Sequence, residues 1–213
     1  MIHAYAADYV DDAQRTLGTM LDFGVNECGY GAAEVMNLFI GSGGARQFAA
    51  GNPTYVVGMT GCELFRAVLR KAGLQDPAVD DVMYLDKSPE YWAGWALAYY
   101  QWYYDYTFSE ILEAVPVDDV LRMYDTLHEA DITKFVSVMD ERLAKVYKGT
   151  RFARMCESCG IAYAKLAEET GIPLEKIERW SSVRGSINAA RAEDAVKVSK
   201  AIGCDVGRLL DRI

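Results

Sequence analysis

Apolar residues recur at helical intervals along most of the chain. Val10, Leu17, Leu21 and Val25 form one stripe and predict a helix over Asp8–Cys28. A turn at Gly29–Gly31 leads to a second helix through Val35, Leu38 and Phe39, stopped by Gly41-Ser-Gly-Gly44. A short helix through Gln47 ends at Gly51-Asn-Pro53, where proline and glycine break the pattern. Thr60-Gly-Cys-Glu63 has the form of a capping box, in which hydroxyl and carboxylate satisfy the first free amides of a helix. It opens a helix through Leu64, Phe65, Val68 and Leu69 that Gly73 closes. Ser88-Pro-Glu90 starts the next, with Pro89 at the position where its missing N–H costs nothing. Thr107-Phe-Ser-Glu110 is a second capping box, and Asp118 and Asp131 are expected to cap two further helices. The last of these carries Ile132, Phe135, Val136, Met139, Leu143 and Val146. Pro53–Val57 alone reads as a strand, and five residues make no sheet. The expected fold class is all-α, with a boundary in residues 146–151.

The pattern beyond that boundary is a run of short helices. Phe152 and Met155 give a first its apolar stripe, and Gly160 ends it. Leu166 and the small Ala167 face inward on a second. Gly171 supplies a tight turn, because glycine tolerates positive φ. Pro173 begins a third helix with Ile177 and Trp180 inward, and a loop, Ser181–Ala189, follows. A fourth carries Ala192, Ala195, Val198 and Ile202 and closes at Gly203. Asp205 is expected to cap a final turn that buries Val206, Leu209 and Leu210. Two short helices joined by a glycine turn are the layout of a helix-turn-helix, whose second helix enters the major groove of DNA.

In this order of features, residues 151–211 resemble the Cro/C1-type (XRE-family) helix-turn-helix domain without a gap. The matching residues are Leu166-Ala167, Gly171-Ile172, Ile177-Glu-Arg-Trp180, Ile187-Asn188, Ala201-Ile-Gly-Cys-Asp205 and Leu209-Leu210. The resemblance implies a five-helix domain over 149–213 that binds double-stranded DNA as a homodimer on paired half-sites. Positions that touch DNA in that family carry Tyr163, Lys165, Leu174, Glu175, Lys176, Arg179, Ser182 and Arg184 here. Several depart from the family's pattern. Its usual Ser-Gln pair at the start of the second helix is Ala162-Tyr163, and its Glu-x-Gly after the third is Ser181-Ser-Val183. Glu175 sets a carboxylate where phosphates repel it, whereas Lys176, Arg179, Ser182 and Arg184 are expected to contact backbone or bases.

The segment from Tyr91 to Tyr106 has nine aromatic residues in 16, including three of the four tryptophans. Trp92, Trp95, Tyr99, Trp102 and Tyr106 fall on one stripe. They form either a central core helix or an aromatic surface for a protein partner. The string Tyr91-Trp-Ala-Gly-Trp-Ala-Leu-Ala-Tyr-Tyr-Gln-Trp102, with Leu127-His-Glu-Ala-Asp131, resembles a helical domain fused to XRE domains in gut bacteria, often beside toxin–antitoxin-like genes. That resemblance implies an antitoxin-like or autoregulatory role.

Charge separates the two parts. Of 213 residues, 149–213 hold 11 basic against 9 acidic and 1–148 hold 11 against 22. An acidic body is repelled by phosphates, so DNA binding is expected only of the C-terminal part. No export signal is expected, and the longest strongly apolar uncharged run, the 14 residues from Tyr91 to Tyr104, is too short for a bilayer. The five cysteines are expected to be reduced thiols of a cytoplasmic protein. Cys156-Glu-Ser-Cys159 lacks a second pair or a nearby His, so no metal or cofactor is expected. Gly41–Gly44 lacks the strand and lysine of a phosphate loop, and His128-Glu129 lacks a second histidine. No nucleophile and base converge, and the chain is not expected to be an enzyme. The reading is a DNA-binding transcriptional regulator of the XRE type, with residues 1–148 as an acidic partner or effector domain. The alternative is an antitoxin-like interaction module, bound to a toxin or other protein, whose helix-turn-helix has lost its reading face.

Overall fold

The computed structural model describes residues 3–81, 87–147, 149–182 and 186–211. Among these there are 14 α-helices and no strand. They run α1 Val10–Asp22, α2 Ala32–Gly41, α3 Gly44–Ala49, α4 Pro53–Val56, α5 Gly61–Lys71, α6 Pro89–Tyr104, α7 Phe108–Ala114, α8 Val117–Leu121, α9 Tyr124–Leu127 and α10 Ile132–Val146. They continue as α11 Arg151–Ser158, α12 Tyr163–Thr170, α13 Leu174–Ser181 and α14 Ala192–Ile202. Two compact units divide the chain between Ala144 and Lys145, inside the last turn of α10. That is four residues before the boundary expected at Gly149.

In the N-terminal unit, α1 packs on α6 and α5. It runs antiparallel to α6, since the Ser88 hydroxyl donates to Asp22 near its end and Gln14 donates to the Trp95 carbonyl nearer its start. Close backbone approach makes this possible. A Cβ on Gly94 of α6 would sit 2.5 Å from the Leu17 carbonyl oxygen, and one on Gly61 of α5 would sit 2.4 Å from the Met20 nitrogen. Phe39, Phe48 and Phe108 then join α2, α3 and α7 edge to face, with ring centroids 5.5–5.9 Å apart. Both capping boxes form. The Glu63 backbone N–H donates to the Thr60 hydroxyl and the Glu110 backbone N–H to the Thr107 hydroxyl. Each glutamate side chain accepts the N-cap amide in return. Ser88 caps α6 by accepting the Tyr91 N–H.

Three expectations are corrected. Residues 53–56 are helical, because the Asn52 side chain accepts the Thr54 N–H and Pro53 fits the first turn. Asp118 is no cap: Pro116 holds that place and Asp118 lies in the first turn of α8. The first helix runs continuously only over Val10–Asp22, with a three-residue 3₁₀ turn at Ala7–Tyr9 before it and a π turn at Phe23–Glu27 after it. Asp131 does act as a cap, its carboxylate accepting the Thr133 N–H at 2.9 Å.

The C-terminal unit is built around Phe152, Cys156, Leu166, Ile172, Ile177, Trp180, Ile187, Val198, Ile202 and Leu209, all buried. Left-handed glycines at Gly160, Gly171 and Gly203 separate its helices. α14 packs on α12, and α13 packs on α11 and α12. Val206 and Leu210 are only half-buried and Ala192 is exposed. Asp205 precedes the 3₁₀ turn Val206–Arg208 without a side-chain capping bond.

Candidate nucleic-acid interface

The segment whose sequence reads as a helix-turn-helix is α12, the turn through Gly171, and α13. Gly171 has φ 69°, which lets the chain reverse within one residue. Leu166 on α12 and Ile177 and Trp180 on α13 point into the same core. The indole of Trp180 meets Phe152 edge to face, 6.3 Å between centroids. This leaves Leu174, Glu175, Glu178 and Arg179 exposed on α13. That face holds two carboxylates and one guanidinium.

The residues predicted to touch DNA divide into groups. Leu174, Glu175, Arg179 and Ser182 are exposed on α13 or just beyond it, with the Ser182 hydroxyl donating to the Arg179 carbonyl at 2.8 Å. Lys165 is exposed on α12 and lies 3.7 Å from Glu169 one turn on. Tyr163 does not stand out as a reading residue. It is half-buried, stacked on Phe152 at 6.0 Å, because a large ring at the start of α12 gains more by packing on the core than by facing water. Arg184 lies outside the described residues.

Lys176 differs most from its expected role. Its ammonium donates to Asp194 Oδ2 at 2.7 Å and lies 5.3 Å from the centre of the Trp180 ring. Asp194 sits in the first turn of α14 and is buried. The Lys176 ammonium beside it holds the Asp194 carboxyl below the usual carboxylate range, with Lys197 and Arg191 adding to the effect. The one lysine on the third helix is therefore committed to a partner within the unit. Acidic residues are common in the first turn of a helix, so Asp194 is legible as such. Its partner 18 positions earlier is not.

On α14, Lys197 and Lys200 are exposed and line an open cleft with Glu169, Thr170 and Ala201. Arg191 is exposed at its start, 4.0 Å from Glu193. Arg151 is buried, and Arg154 donates to the Gly149 carbonyl and lies over the Tyr147 ring.

The aromatic stripe of the N-terminal unit is core at two of its five rings and half-covered at the other three. Trp92 is buried against Tyr124 and Phe135, with ring centroids 5.8 and 5.5 Å away. Trp102 is buried too, stacked on His3 at 4.0 Å, with its indole N–H donating to the Tyr5 carbonyl at 2.9 Å. Trp95, Tyr99 and Tyr106 are half-buried. The cause is composition: α6 is apolar around its whole circumference, so several faces are covered. Two of its hydroxyls find an internal acceptor. Tyr100 and Tyr104 donate to the two oxygens of Asp140 on α10, at 2.9 and 2.5 Å. Burial is the largest cause pushing both phenols well above the usual tyrosine range.

An open cleft of about 460 Å³ lies between α2 and the end of α5, lined by Glu34, Asn37, Ser42 and Lys71 among others. Lys71 already donates to the Tyr55 hydroxyl at 2.5 Å. All five cysteines are free thiols. Burial pushes Cys28 and Cys62 up to about 11 and Cys156 up to about 12. Among the described residues no group of three or more His, Cys, Asp or Glu side chains is placed to hold a metal ion. Nor is any helix among them long and apolar enough to cross a membrane. No family model, curated protein or solved structure matches the chain.

Proposed function

We propose that the chain is a transcriptional regulator whose C-terminal unit binds double-stranded DNA as an XRE-type helix-turn-helix module. In this reading the protein acts in the cytoplasm as a homodimer on paired half-sites. The acidic N-terminal unit takes a protein partner or effector, and no catalytic step is assigned. One observation carries the reading: α12 and α13 are joined across a left-handed Gly171, with Leu166, Ile177 and Trp180 sharing one core. That geometry leaves one side of α13 uncovered, as entry into a groove requires. Arg179 is its exposed cation and the main candidate for a phosphate or base contact.

The test is gel retardation of duplex DNA from upstream of the chain's own coding sequence, at low salt. Retardation by the wild type, weakened by Arg179→Ala together with a shallower salt dependence, is expected. Failure of the wild type to retard that duplex sinks the proposal.

A second reading is an antitoxin-like interaction module. It is favoured by the pairing of Lys176 with Asp194 and by the excess of carboxylates on the exposed face of α13. Under this reading the chain binds no DNA. It forms a stable complex with the product of a neighbouring gene, read by co-expression and size-exclusion chromatography.

A further inference from the structure

Asp211 makes four hydrogen bonds to two separate parts of the C-terminal unit. Its Oδ1 accepts the backbone N–H of Arg151, the first residue of α11, at 2.6 Å. Its Oδ2 accepts the Ser186 hydroxyl at 2.7 Å. Its backbone carbonyl accepts from Asn188 Nδ2 at 2.5 Å, and its backbone N–H donates to Asn188 Oδ1 at 2.8 Å. Both ends of the Asn188 amide are thus spent on one residue, in the manner of a strand pair. Ser186 is in turn fixed, since its oxygen accepts the Asn188 N–H at 3.1 Å.

One residue before Arg151 the same knot reaches the third helix. The buried Thr150 hydroxyl accepts the Ala153 N–H at 3.2 Å and donates to the Trp180 carbonyl at 2.9 Å. The start of α11, the last turn of α13 and the turn at 186–189 therefore meet at one point. A carboxylate there also faces the positive end of α11, where negative charge is favoured.

We infer that Asp211, acting with Thr150, is a positioning residue that fixes the angle at which α13 is presented to DNA. The inference rests on the DNA-binding reading of α13 given above. Neither side chain needs to touch DNA. Base contacts demand an angle that phosphate contacts tolerate, so loosening the knot costs discrimination before it costs non-specific binding.

The experiment uses the full chain and two duplexes, one from upstream of its own coding sequence and one of random sequence, at a single salt concentration. Asp211→Ala is expected to weaken binding to the upstream duplex about tenfold, the loss of one base contact, and the random duplex much less. Thr150→Val is expected to do the same, and the double variant to be no worse than either, because both act through one knot. Asp211→Asn keeps an acceptor for Arg151 and a polar partner for Ser186, and is expected to recover most of the loss. Where Asp211→Ala unfolds the unit, Asn188→Ala is read in its place. An unchanged affinity ratio beside a lowered thermal midpoint would make the knot a plain staple and overturn the inference. A wild type that binds neither duplex overturns the DNA reading itself, and the positioning role with it.

Discussion

Replacing Gly94 by alanine should destabilise the N-terminal unit, although alanine is the better helix former. The added Cβ would lie 2.5 Å from the Leu17 carbonyl oxygen and 2.9 Å from the Gly18 Cα. Both are backbone atoms of α1, so no side chain can swing aside. Restoring ordinary contact, ~3.5 Å between heavy atoms, needs α1 and α6 to part by about 1 Å along their shared length. Overpacking of this kind costs up to ~3 kcal/mol. Alanine returns about 1 kcal/mol of helix propensity, which leaves a net loss of about 2 kcal/mol. Gly41 is the internal control. It ends α2 exposed, and a Cβ added there would meet nothing within 4 Å, so Gly41→Ala should gain up to ~1 kcal/mol. Urea unfolding followed by tryptophan fluorescence reads this unit, since three of the four tryptophans belong to it. A Gly94→Ala midpoint at or above that of the wild type would refute the close-crossing account.

Four further outcomes are expected. Tyr100→Phe removes one of the two phenols on Asp140 and should cost ~1–2 kcal/mol by urea unfolding, since Tyr104 still holds the carboxylate. Both phenols are raised in the folded state, so the folded chain keeps their protons where the unfolded chain releases them; stability should fall as pH rises above about 10, and less steeply in Tyr100→Phe. Asp194 is held below the ordinary carboxylate range by Lys176, so its contribution is present above about pH 4 and lost as pH falls below it. Asp194→Asn should remove that acid-labile part from thermal melts of the C-terminal unit. With an aromatic disulfide reagent at neutral pH, the exposed Cys159 should react first and the buried Cys156 only on unfolding, an order checked by mass spectrometry of the labelled peptides.

What was legible in the sequence was local. The boxes at Thr60 and Thr107 form as read, because every group involved lies within four residues. The inward set Leu166, Ile177 and Trp180 was legible from spacing for the same reason. Pro53–Val57 misled because Thr54, Tyr55, Val56 and Val57 favour strands, whereas one Asn52 hydrogen bond and the proline turn them into a helix. The aromatic stripe of α6 was legible as a stripe, but which rings are covered depends on α9, α10 and the chain at His3 and Tyr5, remote in sequence. Gly94 carried no local sign that a helix crosses it. Asp211 and Asp194 draw their roles from partners up to 60 positions away.

If α13 binds DNA as proposed, the pairing of Lys176 with Asp194 decides how it can meet a phosphate backbone. For Lys176 to contact a phosphate it must leave a carboxylate 2.7 Å away, trading one anion for another. The trade gains little, because Asp194 is then left nearly buried, unpaired, and close to the incoming negative charge. Counterion release through Lys176 is offset by that repulsion, so this lysine adds almost nothing to the salt dependence of binding. Among the described residues, the proposed attraction then falls to exposed cations such as Arg179, Lys165 and those of α14. Lys176→Ala should therefore lower the thermal midpoint of the C-terminal unit while leaving the salt slope of DNA binding unchanged. Arg179→Ala should do the reverse. A salt slope that falls with Lys176→Ala, at constant stability, would show that the lysine abandons Asp194 on DNA and that the exposed face of α13 is rebuilt in the complex.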